Sequence, residues 1–258
     1  MQNDFTIIRL DEIDSTNRFA LEYAVENDTP EYTVIITENQ TAGRGRLGKK
    51  WQSIPGKGLF FSIILNPDVP LEELSKSTMV LGLAVAHAIE QEIPGFSIQL
   101  KWPNDLYAHG RKLGGILVET VANKNGGISR CIVAGIGINL YTELTDYDNS
   151  IQHKVTSIYL ETGKNIDKEI IFQAILKTIE SYMGRFEKLG FKEFLVEWKG
   201  RDHLFGKDVI MVDTLGQVVS GRAEELDVSG ILRVRDISGN LHDILSGDVQ
   251  LAKKKPSE

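Results

Sequence analysis

The hydrophobic pattern of this chain changes character once, at Phe205-Gly206, and that change limits the folds open to it. Before it, strand-like and helix-like stretches alternate. After it, only short strand-like runs occur, punctuated by Leu215-Gly216, Ser229-Gly230, Ser238-Gly239 and Ser246-Gly247. Turn signals at intervals of roughly 8–12 residues across 207–251 predict about five short strands forming a small β-barrel. The expected class is α+β, with a main domain over residues 1–205, a β domain over 206–252 and a frayed, flexible tail over 253–258.

Within the main domain, residues 6–10 read as a strand. A helix is expected from the capping residues Ser15, Thr16 and Asn17 towards Asn27. Residues 33–37 and 58–65 read as strands, and 71–91 as a helix rich in small apolar residues. Residues 97–101 alternate like a strand, and 112–121 and 130–140 predict two more, joined by a turn at 123–127. Ile171, Ile175, Ile179, Tyr182 and Phe186 recur at helical spacing, and a short helix is expected over 191–199.

A chain of 258 residues can fill one large core and still carry a small second domain. No run of apolar residues is long enough to predict a membrane span. The start Met1-Gln2-Asn3-Asp4 lacks the basic and apolar regions of a signal peptide. Cys131 is the single cysteine, so no internal disulfide can form, and its apolar neighbours predict a buried, inert thiol. A cytoplasmic location is expected. The net charge of -7 argues against a general nucleic-acid binder, and it makes any local cluster of cations more informative.

Such a cluster lies in Ala42-Gly43-Arg44-Gly45-Arg46-Leu47-Gly48-Lys49-Lys50-Trp51. Interleaved glycines let the backbone turn tightly and bring N–H groups to an anion, and arginine adds planar donors for phosphate or carboxylate. A mobile basic surface loop has the same composition. A nucleic-acid segment of this type would repeat and would sit on a basic chain, and neither condition holds. Lys101-Trp102-Pro103-Asn104-Asp105 follows a strand, and its proline helps end that strand. Asn104 and Asp105 there could bind Mg²⁺, orient an amine, or form an Asx turn; spacing alone favours the turn. Gly114 and Gly115, after Lys112, mark either a close approach by a ligand or a bulge. Gly135-Ile136-Gly137-Ile138-Asn139 repeats the theme without the spacing of a dinucleotide loop.

Taken in order, these segments and Gln40 resemble the biotin–protein ligases over residues 9–140, and Ser246-Gly247-Asp248-Val249 resembles the family's C-terminal domain. The resemblance implies a class II synthetase-like mixed β-sheet domain flanked by helices and a small SH3-like β-barrel. It implies an enzyme that makes biotinyl-5'-AMP from biotin and ATP, with Mg²⁺, and passes biotin to a lysine of a biotin carboxyl carrier protein. By that similarity Ser15, Thr16, Asn17 and Gln40 hold the ureido ring, and Gly43, Arg44, Gly45, Arg46, Gly114 and Gly115 adjoin biotin. Lys112 matches the lysine that contacts the biotin carboxylate and the α-phosphate. Trp51, Lys101, Asn104 and Asn139 join Arg44, Arg46 and Lys112 at the adenylate. Arg46, Lys112 and Asp105 are the expected catalytic groups, with Asp105 a base, a metal ligand or a turn residue.

Leu47 departs from the pattern, which often has a further basic residue there. Too few residues precede Ser15 for the winged helix-turn-helix of some relatives, so no repressor role is expected. A lipoate–protein ligase shares the fold and is the nearest alternative; a non-catalytic binding module is the more distant one. No nucleic-acid or membrane partner is expected, and either a monomer or a homodimer is compatible with the sequence.

Overall fold

The computed structural model describes residues 5–26, 31–122, 128–212 and 218–252. The turn at 123–127, the Leu215-Gly216 turn, the helix end at Asn27 and the tail 253–258 lie outside them. In chain order the elements are β1 (Thr6–Ile13), α1 (Thr16–Glu26), β2 (Thr33–Gln40), β3 (Gly58–Leu65), α2 (Ser77–Glu92), β4 (Gln99–Lys101), β5 (Asp105–Ala108), β6 (Arg111–Ala122) and β7 (Ile128–Asn139). They continue with α3 (Asn149–Gln152), α4 (Ile158–Thr162), α5 (Lys168–Leu189) and α6 (Leu195–Arg201). The last part of the chain holds β8 (Asp208–Val212), β9 (Val218–Ala223), β10 (Leu232–Arg235), β11 (Leu241–Ile244) and β12 (Asp248–Leu251).

Strands β1 to β7 form one mixed sheet in the order β1-β2-β3-β7-β6-β5-β4, parallel only between β1 and β2. Its centre is β3, whose sequence Gly-Leu-Phe-Phe-Ser-Ile-Ile-Leu is buried throughout. A strand without polar alternation needs cover on both faces, and it has it. Val34, Ile36, Phe61, Ile63, Ala134 and Ile136 face the main core with α2 and α5. Ile35, Ile64 and Val133 face the opposite way, under Ala20 of α1. Alternate residues of one strand therefore serve two cores. Helix α5 follows its periodic pattern, burying Ile171, Ile175, Ile179, Tyr182 and Phe186, and Asp167 caps it through Glu169 N–H at 2.8 Å.

The expected helix over 71–91 divides into a 3₁₀ segment, Leu71–Lys76, and α2. The one over 191–199 likewise begins as a 3₁₀ turn, Phe191–Phe194, ahead of α6. The strand before Pro103 ends at Lys101 as expected, but Asp105 already opens the next strand. Residues 101–105 turn from β4 into β5, with Lys101 opposite Asp105 in an antiparallel hairpin. Strand β5 escaped the sequence reading because four residues carry too little alternation to show.

Strands β8 to β12 form a separate antiparallel sheet in the order β11-β10-β9-β8-β12. It docks directly on the β4–β5 hairpin. Trp102 Nε1–H donates to the Gly230 carbonyl at 3.0 Å, and His203 N–H donates to the Leu100 carbonyl at 2.9 Å. Gly230 has φ +76, a left-handed conformation that favours glycine, and it packs against Met79 and Phe191.

A buried and a partly buried ionisable group at this joint respond oppositely to pH. Burial, with Lys207 and Lys101 nearby, pushes the His203 pKa from 6.5 down to about 4. Burial pushes Asp202 up from 3.8 to about 6, against N–H donors from Leu204 and Phe205. His203 takes up a proton more readily when unfolded, so its contribution is complete above pH 6.5 and is lost as pH falls towards 4. Asp202 holds its proton more tightly when folded, so its contribution is present below 3.8 and is lost as pH rises through 6. Asp202→Asn removes the opposing member. Denaturant unfolding of that variant is expected to show stability falling more steeply from pH 6.5 to 4 than in the unsubstituted protein, and an equal slope would contradict this account of His203.

Candidate active site

One cleft gathers most of the residues that the sequence singled out. It opens on the face of β6 and β7 between the start of α1, the 43–51 loop, the 102–104 turn and residues 247–249 of the second sheet. Its empty volume is about 920 Å³ with the open mouth included. Ser15, Thr16, Asn17, Gln40, Arg44, Gly45, Arg46, Trp51, Lys101, Asn104, Asp105, Lys112 and Gly115 line it. Gly43, Gly114 and Asn139 are not among the lining residues, and each has another place. A Cβ on Gly43 would fall 2.6 Å from the Trp51 carbonyl, and one on Gly114 would fall 2.7 Å from the Gly137 carbonyl. Asn139 is buried and donates from Nδ2 to the Thr156 carbonyl at 2.9 Å.

The glycine- and arginine-rich loop is more regular than its composition implied. Arg44 and Lys50 pair as a β-bridge, Gly45 N–H donates to Lys49 O at 2.7 Å, and Trp51 N–H donates to Gly43 O at 2.9 Å. A short 3₁₀ turn, Arg46–Gly48, closes the tip, with Leu47 at φ +54 and Gly48 at φ +72. The pairing returns Trp51 across the sheet, where its ring lies flat on Gly137. A Cβ at Gly137 would fall 2.7 Å from that ring, and one at Gly135 would fall 2.2 Å from Asn17 Oδ1. Two glycines two positions apart therefore leave one face of β7 bare as a shelf.

A polar network forms the inner end of the cleft. Gln40 Oε1 accepts from Thr16 N–H at 2.9 Å and from the Thr16 hydroxyl at 3.2 Å. That backbone donor fixes which way the amide faces, so Nε2 points away, with one N–H on Ser53 Oγ at 3.2 Å. Asn17 Nδ2 donates to the Leu117 carbonyl at 3.2 Å and to Glu119 Oε2 at 2.8 Å. Its Oδ1 lies 2.7 Å from the Ser62 hydroxyl, which is also 2.8 Å from Thr16 Oγ1. The Ser15 hydroxyl accepts from Arg18 N–H at 3.5 Å. Among the described residues, no acceptor takes the Ser15 proton or the second Gln40 Nε2 proton. The floor thus offers two donors and, at Asn17 Oδ1, a remaining lone pair.

The outer end is cationic. Six basic side chains (Arg44, Arg46, Lys49, Lys50, Lys101 and Lys112) and two carboxylates (Asp105 and Asp248) line the cleft of a net-acidic chain. Lys112 Nζ is 2.6 Å from Asp105 Oδ1 and 5.5 Å from the Trp51 ring centroid. Gly115 stands beside this pair; a Cβ there would fall 3.4 Å from Asp105 Oδ1 and 3.5 Å from Lys112 Nζ. Arg46 Nη1 donates to Asn104 Oδ1 at 3.4 Å, and Asn104 Nδ2 donates to the Ile116 carbonyl at 2.8 Å. Burial lowers the pKa values of Arg46 and Lys101, while Asp105 and Asp248 act to raise them. Asp248 binds Lys49 at 2.7 Å, and that bond and one from Gln250 hold its carboxyl below the ordinary range despite burial. The second sheet therefore reaches into the site. Sequence reasoning did not assign Asp248, Lys49 or Gly137 to it, although all three lie in quoted motifs.

No group of three or more His, Cys, Asp or Glu among the described residues could hold a metal ion. Asp105 already faces Lys112, so the donor set does not fit a resident Mg²⁺. No described helix is long and apolar enough to cross a membrane.

Comparison with known proteins points in one direction. The Biotin/lipoate A/B protein ligase family matches residues 10–139, and the biotin protein ligase C terminal domain matches residues 204–252. The bifunctional ligase/repressor BirA of Bacillus subtilis is 33% identical over 245 residues, which are 95% of this chain and 74% of that protein. The biotin–[acetyl-CoA-carboxylase] ligase of Mycobacterium tuberculosis is 29% identical over 239 residues, 91% of this chain and 85% of that one. A biotin protein ligase from Aquifex aeolicus, solved in complex with biotin and ATP, aligns with a TM-score of 0.81 at 31% identity, covering 96% of this chain and 99% of that chain.

The bare shelf generates a direct prediction. Gly137→Ala places a methyl group against the indole of Trp51, which cannot give way without moving the loop. The variant is expected to fold with a loss of about 1–2 kcal/mol. Its Trp51 becomes more exposed, read as a red-shifted tryptophan emission that a Trp51→Phe background abolishes. An unshifted spectrum would mean that the loop does not rest on β7.

Proposed function

The chain belongs to the biotin/lipoate A/B protein ligase family, as a biotin ligase, and from that membership we propose that it condenses biotin with ATP to biotinyl-5'-AMP and then transfers biotin to a lysine of a biotin carboxyl carrier protein. The observation that carries this reading within the family is the polarity of the floor. A urea presents one carbonyl acceptor and N–H donors. The Ser15 hydroxyl and Gln40 Nε2 supply the donors for that carbonyl, and Asn17 Oδ1 supplies the acceptor for an N–H. A dithiolane or a plain acyl chain would offer no partner to the free Ser15 and Gln40 protons or to the remaining lone pair of Asn17 Oδ1.

With the ureido ring on that floor, the acyl tail runs along the cleft towards Lys112 and ends among the cations. One carboxylate oxygen attacks the α-phosphorus. The bond from that phosphorus to the bridging oxygen breaks, and pyrophosphate leaves with the electron pair. Arg46, Lys101 and Lys112 lower the repulsion between the two anions and stabilise the charge that develops. Magnesium arrives with ATP as part of the substrate, held chiefly by phosphate oxygens.

In the second step a neutral lysine amine of the carrier attacks the acyl carbon, AMP leaves with the bonding pair, and the ammonium proton needs an acceptor. Asp105 takes that part once Lys112 has turned from it to the phosphate, because the ion pair that silences its carboxylate is then broken. The paired loop shields the mixed anhydride from water.

Biotin-dependent ATP–pyrophosphate exchange tests the first step. Exchange with biotin, and none with lipoate or octanoate, is the expected outcome; exchange with lipoate instead would move the chain to the sister activity, and no exchange with any of the acids would overturn the ligase reading. Arg46→Gly is expected to release the adenylate early, so that bystander lysines of added albumin become biotinylated at least about tenfold more than with the unsubstituted protein. Equal bystander labelling would contradict the retention role given to Arg46.

A further inference from the structure

Glu119 lies on β6 outside the cleft lining, yet its carboxylate joins the two parts of the site that have to act together. Oε1 accepts from Arg44 Nη2 of the loop at 2.8 Å. Oε2 accepts from Asn17 Nδ2 of the floor at 2.8 Å. One oxygen is used for each.

We propose that Glu119 is a positioning residue that couples closure of the 43–51 loop to the orientation of the Asn17 amide, and so to recognition of the ureido ring; this rests on the biotin reading given above. The chemistry of the side chain carries the argument. A carboxylate offers acceptors on both oxygens, whereas a glutamine of the same shape offers one acceptor and one donor. Glutamine at position 119 can therefore satisfy Arg44 or Asn17 but not both.

The amide of Asn17 depends on that acceptor. With Glu119 in place, both Nδ2 protons have oxygen partners, so Oδ1 faces Ser62 and lies against Gly135 at the edge of the cleft. Without it, the carbonyl of Leu117 alone holds Nδ2, and the Ser62 hydroxyl can turn to Thr16 instead. A flipped Asn17 would present a donor to a ligand N–H. In the other direction, a ligand N–H on Oδ1 polarises the amide and strengthens its bond to Glu119. The carboxylate is then held where Arg44 meets it.

This linkage differs from a structural ion pair. Arg44 is 45% exposed and Glu119 24% exposed, and pairs so placed contribute little to folding stability. The effect of breaking it is expected in the loop and in biotin binding, and not in the melting temperature.

The test uses the full chain, biotin and ATP. Loss of one charge-assisted hydrogen bond in Glu119→Gln should raise the KM for biotin in pyrophosphate exchange by about tenfold or more, with the KM for ATP within about twofold. Trypsin reads the loop separately, through Arg46, Lys49 and Lys50. Saturating biotin should slow cleavage there in the unsubstituted protein and fail to do so in Glu119→Gln. Arg44→Gln cuts the loop side of the link and should lose the protection against trypsin. It also carries the test if Glu119→Gln does not fold.

Adding Glu119→Gln to Arg44→Gln should cost less protection than Glu119→Gln costs alone, since the link is already broken. Unchanged biotin KM and unchanged protection in Glu119→Gln would overturn the coupling, as would a parallel rise in both KM values. An unsubstituted protein without biotin-dependent exchange would instead remove the ligase reading itself.

Discussion

The site depends on one strand face having no side chains. On β7, Gly135 and Gly137 project towards the same side of the sheet, and the space that two Cβ atoms would take is filled by the Asn17 amide and the Trp51 indole. Those two groups belong to different segments, the start of α1 and the end of the glycine-rich loop. The bare face therefore determines both how deep the floor lies and how closely the loop can fall over it. Such an arrangement costs β propensity at two central positions, and β3 and β6 compensate by pairing with Gly135 and Gly137 on both sides.

Charge is organised around that geometry. A chain with a net charge of -7 concentrates six cations on one cleft, which draws in an anionic acid and an anionic nucleotide against the sign of the rest of the surface. So many like charges would repel one another without the two carboxylates among them. Asp105 comes from the short β5 strand, and Asp248 comes from the second sheet, which the Trp102–Gly230 hydrogen bond fastens to the same hairpin. The C-terminal sheet thus belongs to the electrostatics of the site as well as to its walls.

Much of this was legible in the sequence, and the reasons differ from residue to residue. The long elements declared themselves: β3 by an apolar run broken only at Ser62, α5 by isoleucines and aromatics at helical spacing. The cluster of Arg44, Arg46 and Lys112 stood out because cations are conspicuous in an acidic chain. Strand β5 and helices α3 and α4 did not show, because four or five residues hold no measurable period. Gly43, Gly114 and Asn139 look like ligand contacts in one dimension, yet backbone approach and a buried amide bond account for them. The parts of Glu119 and Asp248 could not be read at all, since each depends on a partner seventy or more residues away.

The central claim is that hydrogen bonds made before any ligand arrives already give the floor the polarity of a urea's complement. A high-resolution crystal structure of the protein with biotin tests it most directly. The account predicts the ureido oxygen within hydrogen-bond distance of Gln40 Nε2 and the Ser15 hydroxyl, a ureido N–H on Asn17 Oδ1, and the carboxylate directed towards Lys112 and Arg46. A complex with the ring at the cationic end, or with the Gln40 and Asn17 amides turned over, would contradict it.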